Sequence, residues 1–276
     1  MTDDSTMQAT DHGASDAARI ETFVDGAVGW LSVHNPARRN AVTLEMWRAL
    51  PGAVAALAAT PGLRCVVLRG AGDATFVAGA DISEFATLRK DARSAQAYEA
   101  SNVAAFDALR DCPLPTVAMV RGFCLGGGLG LAAACDLRIA DETAQFGIPA
   151  ARLGIAYPPS AIADIVRLVG PSCAKTMFFT ARRLDAAQAR EAGLVDMLVP
   201  PADLDTATRD LAGTVALGAP LTLAAAKAAI DAVAGGMSPQ DLAACEQLAN
   251  ACFDSADFAE GRSAFLEKRT PNFTGN

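Results

Sequence analysis

The chain has 276 residues, of which 51% are hydrophobic and 20% charged, and its net charge of −8 gives a pI near 4.8. A chain of this length and composition can bury a sizeable core and is typical of a globular protein. The negative charge argues against nucleic acid or an anionic membrane surface as the main partner, although local basic groups can still bind a small anion.

The cysteines and the N-terminal residues indicate a cytoplasmic protein. Seven cysteines are scattered without CxxC spacing, which is typical of reduced core residues. Residues 1–18 lack apolar periodicity and predict a disordered leader, with acids where a signal peptide has a basic start. The longest apolar run, near Gly122–Ala134, is too short and too rich in glycine to span a membrane.

The first half of the chain alternates strand-like runs with helical patterns. Asp25-Gly26 separates two apolar runs and predicts a hairpin turn. Thr43 is a suitable N-cap for the next helix, which Pro51 is expected to kink or divide. The other predicted elements of this half are strands at Arg64–Arg69, Thr75–Ala78, Thr116–Arg121 and Cys135–Ala140, and helices at Ser94–Arg110 and from Gly126.

From Pro159 onward the pattern is almost entirely helical. Strands that alternate with helices, followed by helices alone, indicate an α/β core with a helical C-terminal region. We therefore predict three segments: the leader at 1–18, the core at 19–200 and the helical region at 201–276.

Two glycine-containing segments, Phe76–Ile82 and Arg121–Gly128, each follow a predicted strand and precede a predicted helix. Glycine lets a ligand approach main-chain amides, and the first turn of a helix leaves N–H groups unpaired and partly positive. If the two segments converge, they aim two donors at one oxygen. A thioester carbonyl that becomes an enolate needs this arrangement, in which each donor is typically worth ~3–4 kcal/mol.

Either segment alone is a weak signal. A triple glycine also serves tight packing of a helix on a strand. In addition, Gly128–Ala133 fits the GxGxxA variant of the dinucleotide fingerprint. The acid that this fingerprint requires about 20 residues later is not found, because Asp136, Asp141 and Glu142 come too early. A dinucleotide-binding dehydrogenase is therefore disfavoured.

Five blocks in order along the chain carry a stronger signal. They are Asn35–Ala41, Ala74–Ile82, Gly122–Ala140, Ala144–Gly154 and Glu260–Arg269. Together they resemble the crotonase (enoyl-CoA hydratase/isomerase) superfamily from about Ile20 to the end of the chain. The resemblance implies a crotonase-like spiral of ββα units with a helical C-terminal trimerisation region, and a homotrimer or hexamer. It also implies an acyl-CoA thioester as substrate, with no other cofactor and no metal.

The same resemblance assigns roles by motif position. The amides of Ala80 and Gly127 are implied to be the oxyanion donors. Lys268 falls where some members direct a lysine to the phosphates of the ligand, in some cases across a subunit interface, whereas Ala249 replaces an aromatic residue that hydratases often have. The residues implied to bind coenzyme A are Arg39, Ala41, Ala78, Gly79, Asp81, Ile82, Gly128 and Lys268.

The sequence departs from the family at two decisive positions. Hydratases of this family use two glutamates to orient a water and exchange a proton, and Gly130 and Ala150 stand at those positions here. Neither side chain can transfer a proton, and such groups usually contribute ~10²–10⁴-fold each. Ordinary hydration is therefore expected to be nearly lost. The small residues are also expected to leave space for a bulkier or carboxylated acyl group.

Few other residues offer a replacement for the glutamates. His12 lies in the predicted leader, and His34 at the end of a strand is interpreted as structural. Asp81 and Glu84 are interpreted as helix caps, and Asp136 as a structural hydrogen-bond partner. With so few histidines, neither a Ser-His-Asp triad nor a zinc site is predicted.

Tyr157 is the remaining candidate for the catalytic residue. Leu153–Tyr157 is similar to the stretch in which methylmalonyl-CoA decarboxylase carries its active-site tyrosine. Decarboxylation forms the enolate without a base, and a phenol with a pKa of about 10 can donate a hydrogen bond or a proton while neutral at pH 7. A tyrosine packed at a loop edge is the structural alternative. Three functions stay open: an enolate-forming acyl-CoA enzyme, a decarboxylase-like enzyme and a non-catalytic CoA-binding homologue.

Overall fold

A computed structural model describes residues 17–276 of the chain. His12 and the predicted leader, except Ala17 and Ala18, lie outside the described residues. The strands are β1 (Arg19–Asp25), β2 (Val28–His34), β3 (Cys65–Gly70), β4 (Thr116–Val120), β5 (Phe123–Leu125), β6 (Leu137–Asp141), β7 (Gln145–Gly147), β8 (Leu184–Asp185) and β9 (Met197–Val199). The helices are α1 (Leu44–Ala58), α2 (Phe85–Leu88), α3 (Ala92–Arg110), α4 (Gly127–Ala134), α5 (Ala150–Leu153), α6 (Pro159–Thr180), α7 (Ala186–Glu191), α8 (Leu204–Ala216), α9 (Pro220–Gly235), α10 (Pro239–Phe253) and α11 (Ala256–Glu267).

The strands form two sheets. The larger sheet has the order β1-β2-β3-β4-β6-β9, and the smaller one has the order β5-β7-β8. The predicted hairpin is confirmed, because β1 and β2 are antiparallel and Asp25 pairs with Val28 beside the turn. The other pairs of the larger sheet are parallel. The α/β class with a helical C-terminal region is therefore confirmed, whereas the boundary between segments at residue 200 stays a prediction.

Apolar side chains cover both faces of the larger sheet. On one face, Leu31, Val66 and Leu68 belong to the main core, together with α1, α3 and α4. On the other face, Trp30 and Val67 pack with residues of α8. Parallel strands that are buried on both faces have continuous apolar sequences. The run CVVL at Cys65–Leu68 in β3 is such a sequence, and it therefore predicts a strand.

Several local predictions differ from the observed elements. Helix α1 begins after Thr43, whose Oγ1 accepts a 3.3 Å hydrogen bond from the Met46 N–H, but it runs through Pro51 without being divided. The segment Thr75–Ala78 is not a strand, and Val77 makes only a single bridge to Cys124. After Pro159 the chain is almost entirely helical, as predicted, and the exceptions are the short strands β8 and β9. These strands have two and three residues, which is too short to produce an alternating pattern.

The cysteine prediction agrees with the structure at four positions. Cys65, Cys112, Cys124 and Cys135 are buried with free thiols, and burial raises the pKa of the Cys65 and Cys135 thiols to about 12. Among residues 17–276, no single helix has the length and apolar character needed to cross a membrane. The segments Pro201–Ala216 and Pro220–Gly235, bent by 103°, meet that criterion only as a pair.

The contact between α4 and the segment before it generates a stability prediction. A Cβ added to Gly128 would lie 2.2 Å from the Val77 carbonyl oxygen and 2.8 Å from the Val77 Cβ. Because both atoms are held in the core, we expect Gly128→Ala to lower the free energy of unfolding by about 1–3 kcal/mol, measured by thermal and urea denaturation.

The matched control is Gly213→Ala in α8, where an added Cβ meets nothing within 4 Å. There the substitution should leave stability unchanged or raise it by about 0.5–1 kcal/mol, because alanine is the better helix former. Equal stability of the two variants would contradict the packing described for Gly128.

Candidate active site

The first glycine-containing segment is held by a bridge to the start of α1. The Val42 N–H donates to the Gly79 carbonyl (2.8 Å), and the Asp81 N–H donates to the Val42 carbonyl (2.9 Å). In parallel pairing of this kind, the residue between the two bonded positions turns its own N–H to the other side. The Ala80 N–H is therefore directed away from Val42.

The second segment is held against the first by another bridge. The Val77 N–H donates to the Phe123 carbonyl (2.9 Å), and the Leu125 N–H donates to the Val77 carbonyl (3.0 Å). Gly126, with φ of 54°, then turns the chain into α4. The first N–H groups of a helix have no intrahelical acceptor, so the Gly127 amide at the start of α4 is free to bind a ligand.

The two segments bring the Ala80 and Gly127 amides together. A Cβ added to Gly127 would lie 3.8 Å from the Ala80 nitrogen, and a Cβ added to Gly79 would lie 3.9 Å from the Gly127 nitrogen. Ala80 and Gly127 also line the same cavity. This convergence is the geometry that stabilisation of an oxyanion requires.

The cavity beside these amides is small and mostly apolar. Its volume is about 60 Å³, and since one water molecule needs roughly 10–15 Å³ on this measure, it holds only a few non-hydrogen atoms. It shares Phe85, Leu153 and Tyr157 with a neighbouring cleft of about 900 Å³ between α3 and the loop after α5. The inner cavity can therefore hold only a few atoms of a ligand, and the outer cleft has room for a larger group.

One face of α3 supplies side chains that sequence reasoning missed. Glu99, Asn102 and Phe106, which are spaced three and four residues apart, all line the inner cavity. Residues at this spacing lie on the same side of a helix. The spacing was visible in the sequence, but the alanine-rich pattern gave no reason to single out this face, and α3 lies outside the motif blocks.

Phe106 occupies the place where the first glutamate of the family would stand. A Cβ added to Gly130 would lie 2.6 Å from Phe106 Cζ and 2.8 Å from Phe106 Cε1. The expectation that Gly130 leaves open space is therefore wrong, because an aromatic ring from α3 fills it. Ala150 is buried in the main core, so additional room for an acyl group comes from the outer cleft instead.

Tyr157 lines both the inner cavity and the outer cleft. Its hydroxyl would lie 3.2 Å from a Cβ added to Gly126, which places it beside the turn that precedes the Gly127 amide. The ring packs edge-on against Phe178, with 5.4 Å between centroids. Burial raises the pKa of Tyr157 and the charge of Arg89 offsets part of this effect, so the phenol is neutral at physiological pH.

An ion pair forms another part of the cavity wall. Arg89 Nη2 contacts Glu99 Oε1, and the exposed fractions of these side chains are 8% and 24%. The guanidinium also lies over the rings of Phe85 (4.5 Å) and Tyr98 (5.0 Å). Burial lowers the pKa of Arg89 and raises that of the neighbouring Tyr98 to about 12. Neither Arg89 nor Glu99 was identified from the sequence.

Among the residues implied to bind coenzyme A, three line the inner cavity: Ala78, Gly79 and Ile82. Arg39 lies beside them, because its carbonyl accepts a hydrogen bond from the Ala78 N–H (3.1 Å). Its guanidinium lies 5.4 Å from the centroid of the Phe123 ring.

The other implied residues lie outside the inner cavity. Ala41 is largely buried behind the first segment, and Gly128 packs against the Val77 backbone beneath the second. Asp81 is buried and accepts hydrogen bonds from Ser83. Lys268 is exposed at the end of α11. Their roles toward a ligand stay predictions.

The remaining acidic residues have structural partners, as the sequence indicated. Asp81 caps the 3-10 turn Ile82–Glu84, and Glu84 Oε2 accepts a 2.8 Å hydrogen bond from the Leu44 N–H in the first turn of α1. Asp136 accepts from the Thr116 N–H (2.7 Å). His34, which ends β2, is not part of the cavity wall. Within residues 17–276, no cluster of His, Cys, Asp and Glu side chains is arranged to hold a metal.

Comparisons with known proteins agree with this architecture. The model of the enoyl-CoA hydratase/isomerase family matches residues 24–276. A crotonyl-CoA hydratase of Syntrophomonas wolfei is 35% identical over 246 residues, which is 88% of this chain and 93% of the relative. A short-chain-enoyl-CoA hydratase of Clostridium acetobutylicum is 31% identical over 245 residues, covering 89% of this chain and 93% of that protein.

Solved structures are similar over the same extent. An enoyl-CoA hydratase/carnithine racemase from Magnetospirillum magneticum has a TM-score of 0.88 at 36% identity, covering 93% of this chain and 96% of its own. An enoyl-CoA hydratase from Bacillus anthracis has a TM-score of 0.85 at 30% identity, with coverage of 93% and 99%. The fold and the order of the motifs define a class of enzymes that act on acyl-CoA thioesters. The chain belongs to the enoyl-CoA hydratase/isomerase family, which confirms the crotonase resemblance.

The contact between Gly130 and Phe106 predicts that a glutamate cannot be restored by a single substitution. Gly130→Glu should strongly lower the melting temperature, because the new side chain and the Phe106 ring compete for one volume. Adding Phe106→Ala should relieve that clash. Thermal denaturation of both single variants and the double variant measures the effect.

We expect the double variant to lose less free energy of unfolding than the two single variants lose together, by about 0.5–3 kcal/mol. Additive effects of Gly130→Glu and Phe106→Ala would contradict the proposed competition.

Proposed function

We propose that the protein binds an acyl-CoA thioester and stabilises its enolate with the N–H groups of Ala80 and Gly127. The observation that carries this proposal is the convergence of these two amides beside one cavity. The cavity is small and mostly apolar, and hydrogen bonds to a developing charge are stronger in such surroundings than in bulk solvent. Membership in the enoyl-CoA hydratase/isomerase family supports the thioester as substrate.

The reaction that follows is proposed to differ from ordinary hydration. Gly130 and Ala150 carry no group that can activate water, and Phe106 excludes water from the position beside Gly130. The hydratase activity named for the similar proteins belongs to those proteins and is not carried over to this chain. For this chain, an acyl-CoA lyase or isomerase that forms an enolate is the function that the cavity supports best.

The proposal also includes the residues that bind coenzyme A and the contacts between subunits. We assign the CoA moiety to the loops at Arg39–Ala41 and Ala78–Gly79, with Lys268 as a phosphate ligand, because a lysine point charge suits a phosphate. We further propose that the chain assembles into a homotrimer or hexamer in the cytoplasm and uses no cofactor besides the CoA thioester. The exposed fractions of Phe253 (65%) and Phe265 (83%) on the C-terminal helices are large and support a subunit interface there.

The proposal predicts enolate formation without efficient hydration. In D₂O, the enzyme should exchange the α-protons of butyryl-CoA for deuterium, which mass spectrometry detects. Its turnover of crotonyl-CoA should fall short of an ordinary hydratase by at least ~10²-fold, because both glutamates are replaced. The variant Ala80→Pro removes one amide donor and should slow the exchange ~10²–10³-fold.

Ala80→Gly is the control, since it alters the side chain and retains the N–H. It should exchange at close to the wild-type rate, and both variants should keep wild-type melting temperatures. Crotonyl-CoA turnover equal to that of an ordinary hydratase would contradict the altered chemistry. Tight binding of acyl-CoA without any exchange or product would favour the non-catalytic homologue.

A second candidate function is decarboxylation of an acyl-CoA that carries a carboxylate on its α-carbon. The position of Tyr157 in the cavity favours this reaction, because loss of CO₂ forms the enolate directly and a neutral phenol can then protonate it.

Decarboxylation predicts release of CO₂ from malonyl-CoA or methylmalonyl-CoA. Tyr157→Phe should reduce that release ~10²-fold or more if the phenol delivers the proton, while affinity for the thioester stays within a few-fold. Phe178→Leu is the control, because it alters the packing of the Tyr157 ring without removing the hydroxyl. If Tyr157→Phe released CO₂ at the wild-type rate, the phenol would not deliver the proton and Tyr157 would have only a structural role.

A further inference from the structure

We infer that Glu99 is the residue that transfers the α-proton of the thioester, and that Arg89 and Asn102 hold its carboxylate in position. The inference rests on the proposed enolate chemistry and deepens it, because it supplies the acid–base group that the family's two motif positions lack. Glu99 lies on α3, outside both glycine-containing segments, and lines the same cavity as Ala80 and Gly127.

The carboxylate of Glu99 has defined partners and spare capacity. Oε1 contacts Arg89 Nη2, and Oε2 accepts a 3.3 Å hydrogen bond from Asn102 Nδ2. Since an ionised carboxylate offers about four lone-pair sites, these two contacts leave acceptor positions free. The Glu99 side chain is 24% exposed, and it lines the same cavity as Ala80 and Gly127.

Arg89 provides a reason for Glu99 to be ionised. The guanidinium is 8% exposed and is enclosed by the Phe85 and Tyr98 rings. An arginine stays protonated in proteins, and a buried charge without a counter-ion is strongly unfavourable. The anionic form of Glu99 supplies that counter-ion, and this is the form that accepts a proton.

Asn102 gives an independent indication that a ligand belongs here. Its side chain is 6% exposed and lines the cavity, yet its Oδ1 atom has no hydrogen-bond partner among the described residues. A buried amide oxygen without a partner costs about 1–3 kcal/mol. A donor on a bound ligand, or a water molecule carried in with it, would satisfy this atom.

The alternatives for proton transfer within the cavity are few. Of the described residues that line it, Glu99 is the only one with a carboxylate, and there is no histidine among them. Tyr157 is neutral because burial raises the pKa of its phenol, so it is suited to give a proton and unsuited to remove one. Glu99 is therefore the group that can act as a base.

A Glu99 oxygen takes the proton from the α-carbon of the acyl group, and the electron pair of that C–H bond forms the C=C bond of the enolate. The π pair of the thioester carbonyl moves to its oxygen, which receives hydrogen bonds from the Ala80 and Gly127 amides. Return of a proton, or of a deuteron from D₂O, to the same carbon reverses the step.

The test compares Glu99→Gln with wild type in the exchange of butyryl-CoA α-protons in D₂O. We expect a ~10²–10⁴-fold loss of the exchange rate, which is the usual contribution of a general base. The dissociation constant for butyryl-CoA should change only a few-fold, because glutamine still accepts hydrogen bonds at Oε1. Exchange at the wild-type rate in Glu99→Gln would overturn the inference and leave the enolate chemistry intact.

Two further variants separate catalysis from folding. Glu142→Gln, at an exposed site away from the cavity, is the matched control and should exchange like wild type. Glu99→Asp keeps the charge that Arg89 requires but withdraws the carboxylate by about one bond, so it should fold normally and exchange ~10²-fold more slowly. Wild-type exchange in Glu99→Asp would also count against the inference, and no exchange by wild type would overturn it together with the proposed function.

Discussion

The structure depends on two single-residue bridges that fix otherwise irregular backbone. One joins Val42 to Ala80, and the other joins Val77 to Cys124. They tie the first glycine-containing segment to α1 on one side and to the second segment on the other. Because four hydrogen bonds of these bridges hold the flanking residues, the Ala80 and Gly127 amides lie close together beside the cavity. Donors held in this way need no reorganisation during a reaction, which is the main source of their catalytic effect.

The same frame leaves a different helix beside the second glycine-containing segment. The family resemblance implies glutamates at positions 130 and 150, where Gly130 and Ala150 stand. Here Gly130 is in contact with Phe106 of α3, so a side chain at position 130 and the ring of Phe106 cannot both be accommodated. Asn102 and Glu99, about one and two turns before Phe106 on α3, line the same cavity as Phe106. Position 130 itself is not part of the cavity wall, because Phe106 covers it.

Electrostatics in the cavity are set by a compensated pair and a neutral phenol. Arg89 and Glu99 balance each other, so the inner wall carries a strong local dipole and little net charge. Tyr157 remains protonated because its burial disfavours the phenolate. The cavity therefore combines the carboxyl group of Glu99, a neutral phenol and two neighbouring amides. The proposed proton transfer at a carbon beside a thioester uses these groups.

The sequence by itself determined the fold class, the hairpin at Asp25-Gly26, the N-cap at Thr43 and the order of the motif blocks, because these features depend on residues close together in the chain. It also determined that no proton-transfer group stands at positions 130 and 150. Only the tertiary structure decided that Phe106 fills the space beside Gly130, that β8 and β9 pair with distant strands, and that Glu99 and Arg89 line the same cavity as Ala80 and Gly127. The physical reason is that these contacts join residues far apart in the chain, and neither periodicity nor local propensity records which helix face will meet which loop.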